Sequence, residues 1–180
     1  MMKRRRFLAT LQALAGAATA ACGYSLAGQG SFLPSYIQTI GIPQFGNRTT
    51  IYELEQVFTQ KVRTEFINRG NYKVLPDATG VDAVLLGEIL ALQLAPASFT
   101  DQQQASRYAF TITAKIEFKD LKTNTVLWDN PQWLFRDEYE AGAATDALDV
   151  NAFLSQEAGA LDRVGEEFAK SVVSAILEAF

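Results

Sequence analysis

Cys22 is the only cysteine in the 180-residue sequence, and the four residues before it are small. A cysteine that follows small residues at the end of an apolar N-terminal stretch is typical of a lipobox. In a lipobox the chain is cut before the cysteine and the new N-terminus is acylated. The sequence therefore predicts signal cleavage between Ala21 and Cys22 and lipid attachment at Cys22. Several acyl chains on one residue would hold the mature protein stably at a membrane surface.

The same residues fit a second processing route. Leu usually stands three positions before a lipidated cysteine, and Thr19 occupies that position here. The stretch 18–20 is also an A-x-A site for the ordinary signal peptidase, which would leave Cys22 as a free thiol. Because a lone reactive thiol is a liability in an oxidising compartment, the sequence favours lipidation over a free thiol.

Two groups of carboxylates are the remaining candidates for chemistry. Asp137, Glu138 and Glu140 follow one another at the end of a predicted strand, and Glu166 and Glu167 are adjacent on a predicted helix. Paired carboxylates can act as a general acid and a general base. Solvated strand ends and helix faces carry the same residue types, however, and nothing in the spacing selects one pair.

Other kinds of site are excluded by residue type. The chain has no histidine, which removes the commonest general base and the commonest metal ligand. It contains no nucleophile elbow, phosphate-binding loop or dinucleotide-binding glycine pattern. If Cys22 carries lipid, neither a disulfide nor a cysteine-based zinc site can form. We therefore predict a protein that is not an enzyme, with no catalytic residue, no cofactor and no metal.

The charge of the mature chain also limits its partners. All 20 acidic residues but only 12 of the 16 basic residues follow Ala21, which gives the remainder a net charge of −8. Affinity for nucleic acid comes largely from Lys and Arg that neutralise phosphates. We therefore expect no nucleic-acid partner, and membrane attachment through lipid instead of broad electrostatic adhesion.

The N-terminal sequence has the three parts of a secretory signal. Lys3 and the three arginines after it precede an apolar run, Phe7 to Ala21, which is too short to be a transmembrane helix. The arginines fit a twin-arginine pattern and an ordinary basic region equally well, so the export route stays open. The predicted organisation is a signal peptide at 1–21, a lipidated N-terminus and tether at 22–34, and a single α+β domain at 35–180.

The first half of this domain is predicted to be a strand, a helix and a short extended segment. Tyr36–Phe45 is rich in Ile and ends near Pro43, and Gly46–Thr49 forms a turn. Thr50 and Glu53 match a capping box that would begin a helix, and Gly70 would end it in a left-handed cap. Tyr72–Leu75 is extended. The apolar face of this helix comprises Leu54, Val57, Phe58, Val62 and Phe66.

The second half is predicted to contain three strands and a long helix. Asp82–Ala95 is almost continuously apolar, which predicts a strand covered on both faces over much of its length. Arg107–Leu121 alternates apolar and polar residues, which is typical of a strand buried on one face. A turn at Lys122–Thr125 leads into a hairpin strand that ends at Tyr139, with a bulge at Pro131. Asn151–Phe180 is a helix with an apolar stripe of Leu161, Val164, Phe168, Val172 and Ile176, beside Ala158 and Ala175.

These elements, in the order β-α-β-β-β-α, predict an α+β two-layer sandwich. Two amphipathic helices would cover one face of an about four-stranded, mostly antiparallel sheet. Most aromatic residues of the strands are predicted to lie in the core, with Trp133 and Phe135 as exposed exceptions. The loops Pro96–Gln104 and Glu140–Asp149 are the expected partner-facing segments, because binding residues are often carried on loops.

The mature chain contains an ordered set of segments: Cys22–Leu26, a Gly-rich tether, Ile40–Phe45 with Asn47–Thr49, Leu54–Gly70, Asp82–Gly87, the strand of Tyr108, and Val126–Trp128 with the closing helix. This ordered set resembles the LPS-assembly lipoprotein family, LptE, over essentially the whole mature chain.

The resemblance implies a lipoprotein on the periplasmic side of the cell outer membrane. It would pair with the large β-barrel LPS-assembly protein LptD, plug the barrel, support barrel assembly and assist delivery of lipopolysaccharide to the cell surface. Gly23, rather than Asp, after the lipidated cysteine agrees with outer-membrane sorting of lipoproteins. A polar barrel lumen also suits a compact domain as a plug.

The resemblance also suggests lipopolysaccharide as a ligand. Some family members place basic loop residues against its acidic head, but 96–104 contains no Lys or Arg and 137–149 is acidic. We therefore transfer no lipopolysaccharide-binding residue to this chain. The alternative function is a lipoprotein that activates or scaffolds another envelope machine, such as a cell-wall synthase activator or a secretion-pore subunit.

Overall fold

The computed structural model describes residues 33–70, 72–99, 105–140, 150–156 and 159–180. The predicted signal peptide, Cys22 and nearly all of the tether lie outside these residues. The secondary-structure elements, in chain order, are β1 Thr39–Gly41, β2 Gly46–Asn47, α1 Leu54–Arg69, β3 Lys73–Leu75, β4 Ala83–Phe99, β5 Ala105–Asp120, β6 Thr125–Glu140, α2 Val150–Gln156 and α3 Ala160–Leu177.

The strands form one mixed six-stranded sheet in the order β3-β1-β4-β5-β6, with β2 paired beside β4. The pairs β1–β3, β1–β4 and β2–β4 are parallel, whereas β4–β5 and β5–β6 are antiparallel. The predicted α+β class is confirmed. The sheet has more strands than the predicted number because the chain from 36 to 47 and the segment after α1 add short parallel strands.

The clear alternation along β5 places one side of that strand in the core, as predicted. All of its predicted inward residues are at most 1% exposed, because α1 and α3 cover this face of the sheet. These residues are Tyr108, Phe110, Ile112, Ala114, Ile116 and Phe118.

Ring contacts join the two helices to the sheet. Phe58 of α1 stacks on Phe168 of α3 with 5.0 Å between ring centroids, and Phe135 of β6 meets Phe168 edge-on at 5.8 Å. Near the end of α1, Phe66 stacks on Phe118 at 6.3 Å. Aromatic pairs in these geometries add to the stabilisation from apolar burial.

The predicted caps of the first helix are wrong. Glu53 occupies the left-handed region at φ 62°, and no side chain caps the helix. Asn47 orders the approach instead, since its Oδ1 accepts hydrogen bonds from the N–H and hydroxyl of Thr49. Gly70 does end the helix, but it is extended, with φ −129°. A Cβ there would lie 2.2 Å from the ring of Tyr72, so close approach explains the glycine.

Two predicted elements are shorter or broken. The first strand covers only Thr39–Gly41, because the chain after Pro43 turns and pairs again at β2. The C-terminal helix is two helices, since Gly159 adopts φ 88° immediately before α3. Within the short α2, Phe153 is buried against Tyr108 and Phe110.

The expected covering of β4 holds only at its beginning. Ala83, Val84 and Leu85 are buried, but most of the strand beyond Ile89 is partly or fully exposed. The strand extends beyond the part of the sheet that the helices cover, so its apolar composition does not reflect burial on both faces. No helix in the described part of the chain is long and apolar enough to cross a membrane.

Candidate partner-binding surface

The three long strands β4, β5 and β6 present a broad face that no described element covers. Their lengths of 16 and 17 residues correspond to about 53 Å at a rise of ~3.3 Å per residue. Residues paired across antiparallel strands share a face, so Thr113 lies between Ala91 and Leu134 on the side opposite the buried Ile112. Helices therefore cover one face of this part of the sheet, and the other remains open.

The open face is polar and carries both signs of charge, as the alternation predicted. Its larger side chains are Leu86, Glu88 and Gln93 of β4, Arg107, Thr111, Thr113, Lys115, Glu117 and Lys119 of β5, and Val126, Asp129, Leu134, Arg136, Glu138 and Glu140 of β6. Leu134 is the most exposed apolar residue on it, at 67%. The face covers about 750 Å² at ~4.8 Å between strands, close to the ~800 Å² that each partner contributes to a standard protein interface.

The carboxylates considered for catalysis do not form one site. On β6, Asp137 lies on the helix side of the sheet, while Glu138 and Glu140 lie on the open side. Glu140 pairs with Arg107 at 2.8 Å. On α3, both Glu166 and Glu167 bind Nζ of Lys170 at 2.9 Å, and hydrogen bonding to Lys170 lowers the pKa of Glu166.

No cluster of three or more potential metal-ligating side chains occurs in the described ranges. An open cavity of about 420 Å³ lies beside the bulge of β4. Its lining includes Arg48, Ile51, Leu92 and Asn151, which do not form an acid–base or nucleophilic arrangement. The geometry brings the predicted carboxylates to no common site within the described ranges.

Trp133 and Phe135, predicted to be exposed, are instead half-buried on the helix side of β6. Trp133 meets Trp128 edge-on at 5.7 Å, and Phe135 packs on Phe168. The prediction was wrong because Leu134, between them in sequence, takes the outward position. The described parts of the two expected partner loops belong to strands, since β4 extends to Phe99 and β6 to Glu140. Pro96–Phe99 belongs to β4, and the segments 100–104 and 141–149 lie outside the described residues.

A hydrogen-bonded cluster that the sequence did not predict fixes the beginning of the sheet. Oδ2 of Asp82 accepts hydrogen bonds from the N–H groups of Gln38 and Thr39 and from the Thr39 hydroxyl, at 2.8–3.0 Å. Lys122 Nζ lies 2.7 Å from the other oxygen. The hydrogen bond from Lys122, followed by those from Gln38 and Thr39, holds the pKa of Asp82 well below its usual range.

Asp120 belongs to the same cluster and has no exposed surface. Burial alone would raise its pKa, but hydrogen bonds from Tyr36, Thr123 and the N–H of Lys122 outweigh burial and lower it. Lys122 also donates to the carbonyl of Tyr36 and lies 5.3 Å from the centre of its ring. The signal that could have found this cluster is an aspartate at the start of one central strand and another at the end of its neighbour.

Comparison with known families decides the assignment. The family model LptE, described as Lipopolysaccharide-assembly, matches residues 37–176, which includes every strand and nearly all of the helical part. The chain belongs to the LptE family. The resemblance noted in the sequence is therefore confirmed. A search of curated proteins found no significant match.

A solved structure shows a similar fold at low sequence identity. This LptE-family chain is similar to the hypothetical protein CT253 from Chlamydia trachomatis, with a TM-score of 0.53 and 8% identity over 79% of this chain and 97% of that one. It is also similar to uncharacterized lipoprotein B from Nitrosomonas europaea, at a TM-score of 0.47 and 15% identity over 86% and 88% of the two chains. Rare lipoprotein B from Shewanella oneidensis gives 0.45 and 13% over 78% and 94%.

Proposed function

We propose that this chain is an outer-membrane lipoprotein, acylated at Cys22, that pairs with the β-barrel LPS-assembly protein LptD and occupies its lumen. In this role it supports assembly of the barrel and delivery of lipopolysaccharide to the cell surface. It has no enzymatic activity of its own. The observation that carries the proposal is the LptE family match over residues 37–176.

The open sheet face supports a partner of this kind. The lumen of an outer-membrane barrel is polar, and a polar face with interspersed charges can meet it without burying a large apolar area. Lys115 and Lys119 alternate with Glu117 along β5, and Asp129 of β6 lies opposite Glu117. The face therefore offers both hydrogen-bond donors and hydrogen-bond acceptors to the polar inner wall of a barrel.

The cluster of Tyr36, Asp82 and Asp120 supports attachment at the N-terminus. The N-terminal segment enters the domain at Leu33 and Ile37, which are each 3% exposed, and hydrogen bonds hold it from Tyr36 to Thr39. An acylated Cys22 would lie only 11 residues before Leu33, within about 40 Å even if fully extended. The domain would thus stay close to the membrane surface.

The test is to purify the full-length protein from native membranes in mild detergent and to identify its N-terminus and its partners by mass spectrometry. We expect an N-terminal, acylated Cys22 and one large outer-membrane barrel in a stoichiometric complex. Cys22→Ser should abolish acylation and membrane retention, whereas the nearby Ser25→Ala should change neither. A free Cys22 thiol, or a homo-oligomer without a barrel, would contradict the proposal.

A further inference from the structure

Strand β6 forms one edge of the sheet. Among the described residues it pairs only with β5, so its outer side has no strand beside it. In an edge strand of this kind every second residue directs its N–H and C=O groups outward. Such a row of backbone groups is a template for another strand unless the edge is interrupted.

The two halves of this edge differ. The first half contains Pro131, which has no N–H, and two shifts of register against β5. Asn130 Oδ1 already accepts the N–H of Gln132 at 3.0 Å. The second half, Trp133–Glu140, pairs residue for residue with 107–114 without a shift. The first half is therefore protected against strand addition, and the second half is regular.

The outer edge of β4 does not offer an equivalent template. Its last part contains Pro96 and two further irregularities, between Pro96 and Ser98 and between Ser98 and Phe99. These features prevent a continuous ladder of backbone hydrogen bonds. Of the two long strands with an outer side, β6 is the one whose described residues include a regular stretch of eight.

Side chains on both faces of this stretch are incompletely covered. On the helix side, Trp133 and Phe135 are only half-buried. The indole N–H of Trp133 is buried and has no hydrogen-bond partner among the described residues. On the open side, Leu134 is 67% exposed. An added strand would place its own side chains beside these groups on both faces.

The charge of the stretch favours a basic strand. Glu140 forms an ion pair with Arg107. The remaining charged residues of the stretch are two acidic residues, Asp137 and Glu138, and one basic residue, Arg136. No ion pair joins these last three residues to any other described residue. A second copy of this chain would bring an edge with the same excess of acidic residues, which would not complement the charge of this one.

We propose that the outer edge of Trp133–Glu140 binds an extended, positively charged segment of a partner protein, which joins the sheet as an additional strand beside β6. Main-chain hydrogen bonds along the edge would supply affinity, and contacts with Leu134, Phe135 and Glu138 would supply specificity. This inference rests on the proposed function, because the partner is taken to be the barrel protein LptD.

Amide hydrogen exchange tests the strand addition directly. The full-length protein is measured alone and in the barrel complex purified from native membranes. We expect alternate amides in 133–140 to exchange at least about tenfold more slowly in the complex, because they acquire hydrogen bonds. Amides of the interrupted half, 125–131, should change much less.

A matched pair of charge reversals tests the partner's chemistry. Glu138→Lys and Asp77→Lys alter exposed carboxylates and change the net charge equally, but Asp77 follows β3 at the opposite edge of the sheet. We expect Glu138→Lys to weaken barrel binding about tenfold, mainly through faster dissociation, and Asp77→Lys to have a clearly smaller effect. Circular dichroism of both variants controls for folding.

The outcomes separate the inference from the proposed function. A barrel complex without additional protection in 133–140, or with equal effects of the two reversals, overturns strand addition and leaves the barrel pairing intact. Protection that appears in the isolated protein and rises with its concentration would indicate a second copy and also overturn it. If no barrel co-purifies with the wild-type protein, both proposals fail.

Discussion

The hydroxyl of Tyr36 donates a hydrogen bond of 2.5 Å to Oδ2 of Asp120, which lies 84 residues later in the chain. The contact joins the segment that enters the sheet to the end of β5, beside the turn that leads into β6. Asp120 also accepts hydrogen bonds from the hydroxyl of Thr123 and from two backbone N–H groups. These hydrogen bonds stabilise the charge of its carboxylate. The hydrogen bond thereby attaches the N-terminal part of the described chain to the end of β5.

Tyr36→Phe should therefore lower the free energy of unfolding and loosen the N-terminal segment. The variant removes one donor from a carboxylate but keeps the ring, so the loss should be modest. Urea unfolding would show a lower midpoint, and amide exchange would become faster at 37–39. Tyr52→Phe is the control, since Tyr52 is 91% exposed and should tolerate the change. Equal midpoints for the two variants would contradict the role of the hydrogen bond.

Stability should decrease in acid because the pKa values of Asp82 and Asp120 are both lower in the folded protein than the ordinary value for an aspartate. The unfolded chain then binds more protons than the folded chain below about pH 4, so protonation favours unfolding. The stabilisation is present above that pH and is lost as the pH falls through the folded pKa values. Urea midpoints measured from pH 7 to pH 2 would show the decrease.

Asp82→Asn isolates one contribution to that pH dependence. The variant should be less stable than wild type at pH 7, because Lys122 loses its charged partner. The difference should shrink as the pH falls below about 4, because the unfolded wild type then takes up a proton at Asp82 and the variant cannot. A difference that stays constant over the whole range would argue that the amide changes packing and not proton binding.

Gly87→Ala should destabilise the domain by about 1–3 kcal/mol through overpacking. A Cβ at position 87 would lie 2.7 Å from the ring of Phe45, which is only 3% exposed and cannot move freely. Gly46→Ala is the matched control, since its nearest neighbour would be the flexible side chain of Glu88 at 3.1 Å. Chemical unfolding of the two variants would measure the contrast, and comparable losses would rule out the close approach as the cause.

Phe153→Ala should release α2 from the far part of the sheet. Phe153 has no exposed surface and contacts both Tyr108 and Phe110, at 5.2 and 5.4 Å between ring centroids. Removing a buried Phe typically costs about 3–5 kcal/mol, which exceeds what so short a helix can otherwise supply. Amide exchange in 150–156 should accelerate strongly, and the half-buried Leu154→Ala should have a smaller effect. Unchanged exchange would show that other contacts hold α2.

The features that sequence reasoning predicted are those with a strong periodic signal. Along β5 every second residue is apolar, and that period of two assigns one face to the core without knowledge of the partners. Helix α1 has the corresponding period, and its apolar stripe is buried at Leu54, Phe58, Val62 and Phe66. The bulge at Pro131 was also predictable, because a proline cannot donate to a ladder.

The features that sequence reasoning missed depend on contacts between residues that are distant in sequence. Strands β1, β2 and β3 have two or three residues each and are defined by their parallel neighbours more than by their own composition. The prediction of a capping box failed because Glu53 adopts the left-handed conformation and Asn47 bonds to Thr49 ahead of the helix. The Asp82 and Asp120 cluster assembles from three separate parts of the chain.

Helices α1 and α3 meet through residues that are very far apart in sequence. Arg69 bonds Ser174 across 105 residues, and Lys61 bonds Asp162 across 101. The contacts between α1 and α3 therefore form only when almost the whole chain is present, and contacts of such separation form slowly. A chain that crosses a membrane unfolded would complete its core only after its C-terminal helix has emerged. Until then part of the apolar core would stay exposed, and exposed apolar surface promotes aggregation.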